Sequence, residues 1–469
     1  MLQLTARDVE FSTRGCLARG SGGTRISGVS IDTRSLKDGD LFFAIRGPNQ
    51  DGHRFIPDAL SRGASGVVAE HGYQYPDEFP SGRILLTVEN THEALKDLAM
   101  SVRRQWPGEL VAVTGSMGKT TTKEFAAQVL QSRFSVYRTP GNYNNLFGLP
   151  LALLGLDTGH DIGIFEMGMS ARGEIAEMCR IAAPTVGILT NIAPVHLAFF
   201  DSIEDIAQSK GELVEALPPG GTLIFNADDG LVRRIAARFA GSKISFGMSD
   251  GADIRAERIQ ITGLEETRFR LSCAGMVHEA TMPFAGAHYV MNALAGVALG
   301  TRFSVEPERM IESLATLQQP AMRGQIVRFK EGFTVIDDSY NSNPRALMQM
   351  IEVLSGMPSF ARRILVAGEM LELGKESAAL HFECGSFAAN RKLDIVLGIR
   401  GDAREIVRGA VESGLPASQA HYFPDSDAAT AFVASQLREQ DLALIKGSRG
   451  VQMEKIVHGL RARFESIGV

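Results

Sequence analysis

Cysteine is scarce in this 469-residue sequence, and the few present are scattered. Cys16, Cys179, Cys273 and Cys384 have neither the close pairing of a redox motif nor the spacing of a zinc site. A disulfide scaffold is excluded, and buried thiols in a reducing cytoplasm are expected. Long apolar runs are also missing, so no segment is expected to insert in a membrane. The opening MLQLTARDVEF lacks the basic start and apolar centre of a secretory leader, which sets the expected location as cytoplasmic. An excess of positive charge is absent as well. The net charge of −6 disfavours a nucleic-acid partner. There is no internal repeat and no low-complexity tract. What remains is an ordinary globular composition, 44% hydrophobic, in a chain too long for a single core. Two to four domains are expected, and an enzyme is the leading class.

The chain pattern divides further. The first ninety or so residues mix short strands (GDLFFAIRG, SGVVAE) with helices near Phe55–Arg62 and, just beyond, Thr91–Gln105. From Glu109 apolar strands alternate with helices: LVAVTG, DIGIFEMG, TVGILTN and TLIFNADD, with helical stretches at Thr120–Gln131, Glu174–Ile181 and Ile203–Leu217. That alternation predicts a parallel sheet with crossover helices. A β-rich stretch and the helical YVMNALAGVAL follow. TLQQPAMRG (Thr316–Gly324) reads as a hinge, beyond which FTVIDD, RILVAGEM, LDIVLGI and LALIKGS restart the α/β pattern. Three α/β domains are expected, over 1–90, 91–318 and 319–469.

The most informative stretch is VAVTGSMGKTTTKE. A strand ends in Gly115, Ser116, Met117 and Gly118 and opens a helix at Lys119, Thr120 and Thr121. Such a turn aims backbone N–H groups and a positive helix end at one point, an anion site by construction. Lys119 adds a charge for β/γ phosphates, and the Thr120 hydroxyl can reach a magnesium ion. An ordinary P-loop would carry a glycine at position 113, where this chain has Val113. That points to a shorter variant, T-G-x-x-G-K-T. Glu166 ends the strand DIGIFEMG, where open parallel sheets bind ligands, and is the candidate magnesium carboxylate. His196 follows the next strand and could share that metal edge.

With those residues the chain resembles the Mur ligase family. The short cradle TGSMGKTTTKE carries the resemblance, with RTPGNYNNLFGLPLALL (Arg138–Leu154), EMGMSARGEIAEM (Glu166–Met178), TNIAPVHL and SKGEL. It continues through GAHYVMNALA, DDSYNSNP, GEMLELG and LIKGSRG, and at the N-terminal end through SIDTRSLKDGDLFFAIRGPNQDGHRFI. Within the family, GNYNN, DDSYNSNP, MLELG and KGSRG resemble the branch that adds D-alanyl-D-alanine to UDP-MurNAc-tripeptide. The resemblance implies an N-terminal domain for the UDP end, a central ATPase domain and a C-terminal Rossmann-like domain that closes on it. It implies ATP and magnesium as cofactors and UDP-MurNAc-tripeptide and D-alanyl-D-alanine as the small-molecule substrates of a chain expected as a monomer.

Joining a carboxylate to an amine requires activation, which ATP provides by forming an acyl phosphate. The resemblance then assigns Lys119 to the phosphates, Thr120 and Glu166 to one magnesium, and His196 to a second. Lys210 aligns with a lysine that several family members carry as a carbamate, a further metal ligand; an unmodified lysine facing phosphate or solvent is the alternative. Asn292 resembles an adenine contact. Its companion asparagine is replaced by Tyr289, so an amide contact there gives way to possible stacking. Arg323 resembles an arginine that reaches the ATP phosphates, Asp338 a ribose contact or an orienting group for that arm, and Asn341 and Asn343 nucleotide neighbours. For the UDP substrate the candidates are Asp32, Thr33, Arg34, Arg46 and His53, with Asn142, Asn144 and Asn145. Lys446, Ser448 and Arg449 are candidates for the dipeptide carboxylate. A sister ligase adding one diamino acid is the nearest rival, and it should show a DNPR-type segment that this chain lacks. A nucleotide-gated binding protein is the rival from another class, and it would have no need of a full metal set. Whether the third peptide residue is diaminopimelate or lysine is open.

Overall fold

The computed structural model describes residues 4–47, 50–74, 79–195 and 198–467. Three large sheets organise them, beside a two-stranded antiparallel pair, Leu4–Thr5 with Arg25–Ile26. The N-terminal sheet has five strands in the order Cys16–Arg19, Ile84–Val88, Gly66–Glu70, Asp40–Phe43 and Gly28–Ser30. All neighbours are parallel except the first pair. Cys16 stands on that antiparallel edge strand and is exposed, which corrects the expectation of four buried thiols; Cys179, Cys273 and Cys384 are buried. This edge strand has no neighbour on its outer side and is exposed or half-buried along its whole length, so the thiol meets solvent. The helix Thr91–Gln105 begins where Asn90 caps it, its side chain accepting from the N–H groups of His92 and Glu93. It packs both on the N-terminal helix Ala6–Thr13 and on the central helices Gly148–Leu153 and Glu174–Ala182.

The central sheet has nine strands. From one edge they run Val136–Arg138, Ile162–Glu166, Glu109–Thr114, Val186–Leu189, Thr222–Asn226 and Ser242–Gly247, all parallel. The β-rich stretch Ile254–Gly263, Glu266–Cys273 and Met276–Met282 completes the far edge, its last two pairings antiparallel. Side chains alternate faces along a strand. Val111 and Val113 therefore enter one core with Phe125, Ala126 and Val290, while Leu110 and Ala112 enter the opposite core with Leu149 and Met178. On the first face the helices Lys119–Gln131 and Ala287–Arg302 lie close. A Cβ on Gly296 would stand 3.3 Å from the Ala126 Cα, tighter than ordinary packing.

Chain order reverses around Glu109–Thr114, because the next two strands lie on one side of it and Val186–Leu189 on the other. Such a reversal opens a crevice at the carboxyl ends of the strands. Register brings Glu166 beside Val113 and Leu189 beside Thr114 at that end.

The C-terminal sheet runs Ala420–Phe423, Ile395–Ile399, Arg362–Gly368, Asp441–Lys446, Thr334–Asp338, Gln325–Phe329 and Ser466–Ile467. Its last two pairings are antiparallel. Between it and the central domain, residues 316–324 form neither helix nor strand, and Met322 (φ 58°) and Gly324 (φ 83°) turn the chain in the left-handed region. Among the described residues no helix is long and apolar enough to cross a membrane.

Candidate active site

The phosphate loop is shaped by two glycines. Gly118 caps the helix Lys119–Gln131 with φ 77°, and a Cβ there would lie 2.4 Å from the Asn292 amide oxygen. A Cβ on Gly115 would lie 1.9 Å from the Thr190 hydroxyl oxygen. Neighbouring strands hold the loop between them. Asn191 accepts from the Met117 N–H at 2.9 Å and donates its amide to the Met117 carbonyl at 3.1 Å. Thr190 donates its hydroxyl to the same carbonyl at 2.7 Å, and Ser116 Oγ donates to Ala193 O at 3.0 Å. The first N–H groups of the helix have no partner within it and point out of its positive end. Lys119 folds back over the loop, donating to Gly115 O at 2.9 Å. Burial lowers its pKa; Glu166 opposes that shift and Arg323 adds to it.

Thr120 is the meeting point of three elements. Its hydroxyl donates to Glu166 Oε2 at 2.7 Å and accepts from Arg323 Nη2 at 3.1 Å. The other carboxylate oxygen, Glu166 Oε1, accepts from the Asn144 amide at 2.7 Å. Glu166 is 3% exposed. Its main chain is fixed too, since its N–H donates to Thr139 Oγ1 at 3.1 Å and the buried Lys123 Nζ donates to Thr139 O at 2.6 Å. Arg323 arrives from the C-terminal side of the hinge, and its guanidinium lies 4.3 Å from the Tyr340 ring centroid.

Lys210 is buried in the helix Ile203–Ala216 and lines the same cavity as Lys119, Thr120 and Glu166. Burial drives its pKa well below the usual value, and the Lys119 charge adds to the shift. His196, expected as a metal ligand, lies outside the described residues. Among the described residues, no three His, Cys, Asp or Glu side chains gather as a metal cage. A carboxylate and a hydroxyl beside a phosphate loop nonetheless suit magnesium, which keeps most of its shell for water and phosphate.

Among the described residues, two cavities open on this centre, and a third shares Asn142 and Asn145 with the second. One of about 330 Å³ is lined by Met117, Gly118, Thr121, Tyr289, Asn292, Arg323, Asp338 and Lys446, together with Asp228, His288 and Arg345. Asn292 accepts from the Thr122 hydroxyl at 3.2 Å. Tyr289 presents its ring to the wall, but its hydroxyl donates to the Arg323 carbonyl at 2.9 Å. A second cavity of about 630 Å³ joins the loop, Glu166 and Lys210 to Asn142, Asn144, Asn145, Asn341 and Asn343. The third, about 610 Å³, lies between the N-terminal domain and the asparagine loop, lined by Asp32, Thr33, Arg34, Asn142 and Asn145. Arg34 is held by Asp32, whose carboxylate accepts from its Nε at 2.9 Å and its Nη2 at 2.6 Å.

Other candidates are engaged by the fold around them. His53 is buried, with Nδ1 2.6 Å from Asp51 Oδ1 and Nε2 accepting from the Glu70 N–H at 2.9 Å, so both ring nitrogens serve the N-terminal fold. Arg46 pairs with Asp51 and Glu70. Neither lines the three cavities. Lys446 pairs with Asp338 at 2.6 Å across adjacent parallel strands and donates to Asn341 O at 2.9 Å. Ser448 accepts from the Leu371 N–H at 2.9 Å, and Arg449 reaches Glu454 at 2.8 Å; both lie outside the three cavities. Asn343 caps the helix Pro344–Ser355, accepting from the Ala346 N–H at 2.9 Å.

Sequence reasoning passed over Thr190 and Asn191, which seat the phosphate loop, and Thr139, which seats Glu166. The first two were in view at the end of TVGILTN, a strand of the same sheet. Thr139 carried no signal, because its partner is 27 residues away.

Known proteins resemble this chain over nearly its whole length. Residues 25–103 match the Mur ligase family catalytic domain, 113–300 the Mur ligase middle domain and 322–449 the Mur ligase glutamate ligase domain. The UDP-N-acetylmuramoyl-tripeptide–D-alanyl-D-alanine ligase of Bacillus subtilis is 32% identical, over 98% of this chain and 99% of that protein. A crystal structure of MurF from Acinetobacter baumannii superposes with a TM-score of 0.87 at 28% identity, covering 98% of this chain and 99% of that one. MurF ligase from Thermotoga maritima in complex with ADP gives a TM-score of 0.80 at 29% identity, covering 93% and 98%. The chain belongs to the Mur ligase family.

Proposed function

We propose that this chain is an ATP-dependent carbon–nitrogen ligase of peptidoglycan precursor synthesis. It joins D-alanyl-D-alanine to UDP-N-acetylmuramoyl-tripeptide and releases ADP and phosphate. The names of its full-length relatives supply the substrates. The observation that carries the chemistry is the double contact of Thr120, to Glu166 at 2.7 Å and to Arg323 at 3.1 Å, where the central and C-terminal domains meet.

The helix Lys119–Gln131 takes the phosphates at its N-terminus, and Lys119 neutralises them. Glu166 and Thr120 would hold one magnesium ion; with the ion bound, charge on the phosphate oxygens is offset during transfer. Arg323 brings a second cation to the same point. The tripeptide carboxylate takes the γ-phosphoryl group and becomes an acyl phosphate. The dipeptide amine then attacks that carbonyl, the C–N bond forms, phosphate leaves and a proton is released. The asparagine loop 142–145 borders both the phosphate cavity and the N-terminal cavity, so it is suited to hand the tripeptide end from one to the other. Lys210 is the proposed carbamate: its depressed pKa favours the neutral amine, which adds carbon dioxide and releases a proton. As a carbamate it would serve, with His196, a second magnesium ion. The domain limits 1–90, 91–318 and 319–469, a cytoplasmic location and a monomeric state complete the reading. Pentapeptide formation, followed by mass, with phosphate release from ATP that requires the dipeptide tests it.

A further inference from the structure

Tyr289 belongs to two places at once. Its ring lines the nucleotide cavity and packs 5.5 Å from Phe284 and 4.1 Å from His288, centroid to centroid. Its hydroxyl leaves the cavity and donates to the Arg323 carbonyl at 2.9 Å, in the hinge between domains. The next residue is shaped around that hydroxyl. Gly324 has φ 83°, and a Cβ on it would stand 2.1 Å from Tyr289 Oη. The Gly324 N–H donates to Asp337 O at 2.9 Å, and Met322 O accepts from the Tyr340 N–H at 3.1 Å. The hinge is therefore tied to the C-terminal domain on either side of Arg323, and to the central domain through Tyr289. From this fixed point the Arg323 side chain crosses to the Thr120 hydroxyl, flanked by Tyr340.

We propose that Tyr289 is a positioning residue: its hydroxyl latches the hinge carbonyl of Arg323 and so aims the guanidinium at the phosphate-side face of Thr120. The hydroxyl is thereby engaged with the hinge and does not read the base, while the ring still walls the cavity. Burial raises the Tyr289 pKa well above its usual value, so the hydroxyl remains a donor at neutral pH. The proposal rests on the ligase reading for its kinetic consequence, and on the hinge geometry alone for its structural one.

Two measurements on the full-length chain test it. Tyr289→Phe removes only the latch and keeps the ring. Hydrogen exchange of the hinge amides, Gly324 included, should quicken about fivefold or more in this variant, with the rest of the C-terminal sheet unchanged. In the ligase assay Tyr289→Phe should lower kcat about tenfold, the worth of one hydrogen bond, with KM for ATP within about twofold. Arg323→Ala should cost more, about a hundredfold. Combined with Arg323→Ala, Tyr289→Phe should cost nothing further, because the latch then has no side chain to aim. Unchanged hinge exchange, or a tenfold loss that multiplies with that of Arg323→Ala, overturns the proposal. A wild-type chain that makes no pentapeptide overturns the ligase reading instead, and the exchange measurement still decides the latch.

Discussion

The Thr120 hydroxyl donates to Glu166 at 2.7 Å although the two residues are 46 positions apart and on different elements. The contact exists because Thr120 opens a helix at the carboxyl end of one strand and Glu166 closes the strand beside it. Glu166→Gln keeps the shape and removes the charge. Folding stability should fall by no more than about 1–2 kcal/mol, because the Gln oxygen can keep the Asn144 contact while its amide donates to the Thr120 oxygen, reversing that bond. Turnover should fall at least about a hundredfold, with a raised magnesium requirement. An unchanged magnesium titration would remove Glu166 from the metal edge.

Among the described residues Lys119 donates only to carbonyls of its own loop, so their fold does not depend on it. Lys119→Ala should unfold within a few degrees of the parent and lose about two to three orders of magnitude in kcat. A near-normal rate would contradict its assignment to the phosphates.

Thr139 joins a buried lysine to the backbone of Glu166. Thr139→Val conserves volume and leaves the Glu166 N–H without a partner inside the protein. Urea unfolding should show a loss of about 1–3 kcal/mol, and activity should fall with it. A fully stable, fully active variant would show that Glu166 is held by other means.

Acidification should act through His288. Burial pushes its pKa from 6.5 down to about 3, and the charge of Lys446 adds to the shift. The unfolded chain then binds a proton that the folded chain does not, so stability is full above pH 6.5 and declines as pH falls toward 3. Relative to His288→Gln, the wild type should lose stability at up to about 1.4 kcal/mol per pH unit in that window. Parallel stability curves for the two proteins would place the wild-type ring in a solvated setting.

Lys210 gives a chemical prediction. If its amine carries carbon dioxide, turnover should drop in carbon dioxide-free buffer and return with bicarbonate. Equal rates in both buffers would favour the unmodified lysine.

The phosphate loop was legible because all its parts are adjacent: Gly115, Gly118, Lys119 and Thr120 lie within six residues between an apolar strand and a helix. Glu166 was legible from its place at a strand end. The helix Thr91–Gln105 was readable to the residue, since Asn90 supplies a strong start signal. Pairings across the chain were not readable. Nothing local says that Asn144 will take one oxygen of Glu166, or that Arg323 will reach Thr120 across 203 positions. His53 and Arg46 show the converse. Their types fit a phosphate ligand, yet neighbouring Asp51 and Glu70 take them into the N-terminal fold. The last strand, Ser466–Ile467, is two residues long and pairs from the far end of the chain with Gln325–Phe329, which itself forms a hairpin with Thr334–Asp338, so no local pattern announced it.

The most direct test of the central claim is phosphate release from ATP and magnesium with UDP-MurNAc-tripeptide, measured with and without D-alanyl-D-alanine. The predicted result is release that requires the dipeptide and is matched by a pentapeptide product in the mass spectrum. Turnover only with UDP-MurNAc-dipeptide and a free diamino acid, or no turnover with either pair, would contradict it.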